Sequence, residues 1–370
     1  MGYELKLFFV FFLVFFSAGV VIAGEGDLLL RDWQPKSQLV VRETTILRPK
    51  FPVIDFHNHL GRAVNGPPEA IQKILEEMDN AGVVKCVSLD ARSGKDFYKE
   101  HIRVFHSVSK DRFLIFFVPD FSRIDEPDFG RAEAAKLENA VRMGARGMKI
   151  YKSLGLEIRD KSGKLVPVDD PRIDPIWEKC GELGIPVMIH VTDPKAFFTP
   201  VDRFNERYDE LGNHPDWSFY GDQFPSKEEI LAQRNRVFAR HPGTIFIGAH
   251  VGTLPEELHR VGMWLDCYPN FHVDICARIS DLGRQPRTAR EFFIKYQDRI
   301  LFGTDTYPSA EAYRIYYRFL ETDDEYIDPS GGHHLQARWM IYGVNLPDEV
   351  LEKVYNKNAL AILAMYKGPK

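Results

Sequence analysis

The chain has 370 residues, 44% of them hydrophobic, which is ample for a sizeable core, and a formal net charge of -5. That mild acidity leaves no basic footprint, and no nucleic-acid partner is expected. Its four cysteines, Cys86, Cys180, Cys267 and Cys276, form no CxxC pair. Cys86 and Cys276 lie in apolar strand-like runs, where the ordinary reading is a small buried hydrophobe, so no catalytic cysteine is expected.

The chain opens with "MGYELKLFFVFFLVFFSAGVVIAGEG". Lys6 precedes an unbroken apolar run that ends in small residues around Ala18, Gly19 and Ala23. This pattern predicts a signal peptide over residues 1–23 and export to a periplasm or the exterior. An uncleaved membrane anchor is the alternative, because Glu4 offsets Lys6 and the run is slightly long. No other membrane association is expected. Residues 24–50 then read as an N-terminal extension and 51–370 as one catalytic domain.

After residue 50, short β-branched runs alternate with longer amphipathic ones. Strands are predicted over 52–56, 83–89, 112–119, 147–151, 186–190, 244–250, 271–275 and 299–305. Helical patterns lie between them at 67–82, 130–145 and 226–243. The last opens with Ser226 and Glu229 in capping-box spacing and closes on Gly243. Eight strands, each followed by a helix or a long insertion, predict an α/β fold, the (β/α)8 TIM barrel. A doubly wound sheet is the competitor, but it usually carries a Gly-rich phosphate turn after its first strand. Two connections are long, 191–225 after the fifth strand and 306–346 after the eighth. Such loops serve as lids or substrate walls, or as a homo-oligomer interface.

The first strand runs into "PVIDFHNHLG". A period of two puts His57 and His59 on one face, where two imidazoles can share a metal ion. His190 ends the fifth strand, His250 the sixth and Asp305 the eighth. In a parallel barrel all these carboxyl ends open on one rim. A polar cap explains any one of them; five at equivalent positions point to a metal. Lys149 sits between Met148 and Ile150 in the fourth strand, where its side chain should enter the barrel. Burial lowers an amine's pKa, and the neutral amine can take up carbon dioxide as a carbamate, an anionic oxygen donor. Pairing with a buried carboxylate such as Asp55, or binding an anionic substrate, would equally explain it. Tyr151, Lys152, Arg278 and Tyr307 follow strand ends and are candidates to hold a substrate carboxylate or carbonyl. Of the other histidines, His241 reads as a helix cap, His101, His106 and His259 as surface or core-edge residues of helical runs, and His333 and His334 fall in the last long loop, within reach of the mouth.

With these residues in order, the chain from Phe51 to Tyr366 resembles the metal-dependent amidohydrolase superfamily, in its amidohydrolase-related branch that also holds non-oxidative decarboxylases. The resemblance rests on the HxH of "DFHNH", Lys149 of "GMKIY", His190, His250, Asp305 and the closing "NKNALAIL". It implies that His57, His59 and Asp305 hold the more buried metal. In two-metal members the lysine bridges, and the histidines at His190 and His250 hold a second ion. In one-metal members the histidine at His190 joins the first site, and the one at His250 serves as base or carbonyl polariser. Nitrogen and carboxylate donors suit zinc, with manganese, iron or nickel as alternatives. The expected function is a metal-dependent hydrolase that uses metal-activated water on an amide, ester or lactone of a small molecule, with Asp305 and His250 as catalytic residues. A one-metal decarboxylase of a small carboxylic acid is the rival enzyme. A non-catalytic exported ligand- or metal-binding barrel is the rival from another class.

Overall fold

The computed structural model describes residues 28–369 except 30, 31, 34, 68, 330–335 and 337. The predicted signal peptide, His333 and His334 lie outside the described residues. No helix among the described residues is long and apolar enough to cross a membrane. Two compact units divide at Val40. In the first, the described residues are irregular, with one turn closed by Asp32 N–H donating to the Leu29 carbonyl at 2.9 Å.

The second unit, Val41–Lys370, is built on eight strands: β1 Val53–Asn58, β2 Val83–Arg92, β3 Phe113–Val118, β4 Gly147–Ile150, β5 Val187–Ile189, β6 Phe246–Gly248, β7 Phe271–Asp274 and β8 Ile300–Leu301. They pair in sequence order, every pair parallel. Two backbone bonds join the ends of the series, Phe56 N–H to the Phe302 carbonyl at 3.0 Å and Asp305 N–H to the His57 carbonyl at 2.9 Å. The result is a (β/α)8 barrel. Every position of β1 and β3 is buried, as expected of parallel strands covered on both faces.

Alternate strand positions make two apolar layers. Phe56, Val87, Phe116, Met188, Ile247 and Leu301 belong to an inner cluster, joined by Ala359 and Ile362 of the helix Asn358–Leu363. Asn358 fixes that helix by donating to the carbonyls of Gln297 and Ile300, both at 2.7 Å. The outer cluster includes Phe113, Met148, Ile150 and Phe246 with the surrounding helices. Lys149 stands in register with Met188, so it shares the inner face, where the sequence pattern put it.

The predicted helices form at Glu69–Ala81, Phe129–Met143 and Lys227–Arg240. The Ser226 hydroxyl accepts from Glu229 N–H at the start of the last, satisfying a donor that has no partner within the helix. The stretch 306–346 is not one loop, because a 12-residue helix, Ala310–Glu321, occupies its first part. Its aromatic run "YRIYYRFL" puts Tyr313, Tyr316 and Tyr317 on one helical face, where they pack around Phe302. At the rim, β1 and β2 run past their expected ends to Asn58 and Arg92, and the other six strands stop short of theirs. β6 ends at Gly248 and β8 at Leu301. His250 and Asp305 therefore stand on turns beyond the ladders, with left-handed φ of 57° and 60°.

Candidate functional site

Those turns bring the donors together. His59 Nε2 lies 3.3 Å from Asp305 Oδ1, and His57 Nε2 lies 3.7 Å from the same oxygen. One atom from each of His57, His59 and Asp305 fits within a 4.8 Å span. His250 Nε2 approaches the other carboxylate oxygen at 3.8 Å. Lys149 Nζ is 3.4 Å from His57 Nε2, and no carboxylate among the described residues lies within ion-pair reach of it. The ring of His190 packs on that of His250 at 4.4 Å, but its Nε2 turns to Asp193 at 3.3 Å. The predicted rim residues thus converge, with His190 directed away from the compact donor set.

Electrostatics suit a cation. Burial pushes the pKa values of His57, His250 and Lys149 down, favouring neutral imidazoles and a neutral amine. Burial alone would raise the Asp305 pKa, but whatever positive charge His57, His59, Lys149 and His190 carry acts against it and holds the carboxyl below its ordinary value. Two imidazole nitrogens and a carboxylate oxygen, the latter ionised, form a donor set that zinc or manganese accepts.

Each histidine is oriented by an acceptor the sequence reading did not single out. His57 Nδ1 faces Asp274 Oδ2 at 2.7 Å. His59 Nδ1 faces Asp90 Oδ1 at 2.8 Å, and the Tyr151 hydroxyl donates to that same oxygen at 2.7 Å. Asp90 lies two residues before the end of β2 and Asp274 ends β7, so the rule that found His190 also marks them: a polar residue near the carboxyl end of a barrel strand. Such acceptors aim the far ring nitrogen at a metal. Cys276 departs from its reading as a plain hydrophobe. It is buried, but its Sγ lies 3.0 Å from His57 Nδ1, 3.1 Å from His250 Nδ1 and 2.8 Å from Asp274 Oδ1. All four cysteines are unpaired.

Asp55 does not pair with Lys149. Its carboxylate accepts from His57 N–H at 3.1 Å, Asn58 Nδ2 at 2.9 Å, Thr304 Oγ1 at 2.7 Å and Tyr313 at 2.8 Å. A register shift in β1 between Asp55 and Asn58 breaks the strict alternation that would have aimed Asp55 with His57. It binds the seam between β1 and β8 instead.

Of the proposed substrate residues, Tyr151 lines a cavity of about 580 Å³ with Lys149, Arg92, Phe97, Phe121 and Arg159. An adjoining cavity, reaching His59, Asp90 and Arg62, shares Arg92 and Phe97 with it. Arg92 lies over the Tyr151 ring at 5.7 Å and Arg62 over the Tyr307 ring at 4.5 Å. Lys152 is committed to Asp193 at 2.6 Å and packs on Phe219. Arg278 is buried, donating to the Ala277 carbonyl at 2.6 Å. His241 is bonded to Asp174 at 3.0 Å, and His101 to Ser88 at 2.9 Å.

One ion cluster joins three of the connections at the rim. Arg207, fully buried after β5, donates to both oxygens of Asp281 at 2.9 and 2.8 Å and to Glu210 at 2.8 Å. It also reaches the Gln336 carbonyl at 3.4 Å. One guanidinium therefore ties together the connections that follow β5, β7 and β8.

A sequence model of the amidohydrolase family matches residues 54–365. No curated protein matches the chain. Among solved structures, it is similar to an uncharacterised TIM-barrel protein from Bordetella bronchiseptica, with 15% identity, 85% of this chain and 98% of that one covered, and a TM-score of 0.52. It is similar to 2,6-dihydroxybenzoate decarboxylase from Rhizobium, with 16% identity, coverage of 85% and 99%, and a TM-score of 0.53. A dihydroxybenzoic acid decarboxylase from Polaromonas sp. JS666, with bound manganese and 2-nitroresorcinol, gives 15%, 85% and 97%, and 0.54. At these identities the structural likeness is one of fold.

Proposed function

The chain belongs to the amidohydrolase family and is an enzyme, and from that premise we propose that it is a metal-dependent hydrolase of an amide, ester or lactone. His57, His59 and Asp305 would hold the ion, with zinc first and manganese, iron or nickel as alternatives. A divalent ion bound there supplies Lewis acidity, which makes water a stronger acid and polarises a carbonyl.

The observation that carries the hydrolytic reading is Lys149, fully buried beside His57 Nε2 at 3.4 Å with its pKa lowered by burial. Its neutral amine can attack carbon dioxide. An N–C bond forms, one C=O electron pair moves onto oxygen, and one proton leaves to solvent. The carbamate adds an anionic donor and makes room for a second ion, toward which His250, and His190 once turned from Asp193, would contribute. Asp305, held ionised, takes a proton from the attacking water and returns it to the leaving group. Tyr151 orients Asp90, and with it His59, while walling the substrate cavity. Lys152 and Arg278 act by fixing the rim around Asp193 and Ala277, and Tyr307 by seating Arg62. Export past a membrane belongs to the same proposal, and a purified N-terminus near Gly24 would support it.

Decarboxylation is the second reading, favoured by the single compact donor set at the mouth and by the orientation of His190. The two separate on isotope and stoichiometry. Turnover in 18O-water with one label entering the product, two metals per chain and a carbon dioxide adduct in the native mass support the hydrolase. Carbon dioxide release from a carboxylic acid, with one metal and no adduct, overturns it in favour of the decarboxylase.

A further inference from the structure

Strand β7 contributes no residue of the donor set proposed for the metal, yet its end touches two of the histidines that meet there. The proton positions follow from what faces each ring. The carbonyl oxygen of Cys276 lies 3.0 Å from His250 Nδ1. A backbone carbonyl can only accept, so this nitrogen carries the proton and Nε2 carries the lone pair. His57 follows the same logic. Its Nδ1 is 2.7 Å from Asp274 Oδ2, while the other oxygen of that carboxylate collects His250 N–H at 2.7 Å, Cys276 N–H at 3.3 Å and the Cys276 thiol at 2.8 Å. With Oδ1 occupied by three donors, Oδ2 is the oxygen left facing His57 Nδ1, as its acceptor.

We propose that Asp274–Cys276 is a positioning element that holds His57 and His250 together as Nδ1–H tautomers, so that both present Nε2 lone pairs to the mouth. The consequence for His250 is specific. In its neutral form it enters the reaction as a metal ligand or a proton acceptor, and it cannot polarise a substrate carbonyl by donating from Nε2. The same carboxylate holds the His250 backbone N–H, and with it the left-handed turn at φ 57° that aims the ring inward. Cys276 Sγ fills the space between both Nδ1 atoms, at 3.0 and 3.1 Å, where a bulkier group would push the rings apart.

The proposal rests on the reading of His57 as a metal ligand. Its test uses the full-length protein labelled with 15N-histidine, freed of metal and kept without substrate, so a failed tautomer assignment is separable from a failed hydrolase. Long-range 1H–15N spectra report which ring nitrogen is protonated, and His57→Gln and His250→Gln variants assign the signals. Protonated Nδ1 and bare Nε2 in both rings are expected; Nε2–H on His250 overturns the proposal. Asp274→Asn should mix the His57 tautomers and weaken zinc binding, measured by chelator competition, about 10- to 100-fold. Cys276→Ser, which keeps the carbonyl and a donor, should preserve both tautomers and bind zinc within about threefold of wild type. Equal losses in the two variants without a change of tautomer would mean that β7 only packs.

Discussion

Lys149→Met is expected to stabilise the metal-free protein while abolishing its activity. The side chain is fully buried; among the described residues it makes one hydrogen bond, 3.4 Å to His57 Nε2, and lies over the Tyr151 ring at 5.3 Å. Burying a poorly partnered amine costs about 1–3 kcal/mol on mutational scales. The single long hydrogen bond returns up to about 1 kcal/mol. Methionine has a similar length and no polar group to desolvate, so the net gain is about 1–2 kcal/mol. At about 2 °C per kcal/mol for a large domain, the melting temperature should rise by about 2–4 °C. Calorimetry on chelator-treated wild type and variant measures this, with circular dichroism as the fold control. Turnover should fall at least about 100-fold, the upper end of what loss of an outer-shell partner costs a metal site. A variant that melts more than about 2 °C lower would refute the reasoning, since Lys149 would then be a stabilising partner. A more stable variant with undiminished turnover would leave the fold argument standing and remove the lysine from the chemistry.

Asp281→Asn strips Arg207 of its bidentate partner inside the fold and should cost about 3–5 kcal/mol in urea titrations; a loss below about 1 kcal/mol would show that Glu210 suffices. Asp305→Asn should keep the fold by circular dichroism, bind zinc more weakly and lose at least about 1000-fold in turnover. Near-normal turnover would dismiss Asp305 as the proton carrier. Burial pushes the Lys227 ammonium down to about 8. Between that pH and the ordinary lysine value near 10.4, the unfolded chain binds the extra proton, so stability rises with pH across the window. Relative to Lys227→Met, wild type should therefore gain up to about 3 kcal/mol from pH 8 to 10.5; a pH-independent difference would contradict the shifted value.

The barrel was legible because parallel strands covered on both faces must be nearly continuous apolar runs, and eight of them recur at helical intervals. The donor cluster was legible because strand ends share a rim, so His57, His59, His250 and Asp305 could be joined without coordinates. The left-handed turns that carry His250 and Asp305 were not, because His and Asp only lean toward that region and the surrounding bonds decide whether they enter it. The carboxylates behind the histidines escaped for a different reason. Asp90 and Asp274 carry no motif, and whether an acid binds a metal or orients its ligand depends on a few ångströms. Asp55 shows the limit of strand periodicity, where one register shift in β1 redirected it from the interior to the seam. Arg92 was passed over because an exposed arginine ordinarily reads as solvated surface, and only the cavities assign it a place.

The seam itself sets an order of events. The Asp55 carboxylate meets Thr304 across 249 positions of the chain, and the donors on either side of that junction come from the first strand and from beyond the last. Contacts so distant in sequence close late in folding. A ribosome must therefore finish nearly the whole domain before the site can hold an ion, and the half-made chain is spared premature loading. Were the chain exported unfolded, as proposed, the ion captured would be the one abundant at the destination, whatever the cytosol offers. The metal in the finished enzyme would then be decided by when the barrel shuts as well as by the chemistry of its donors.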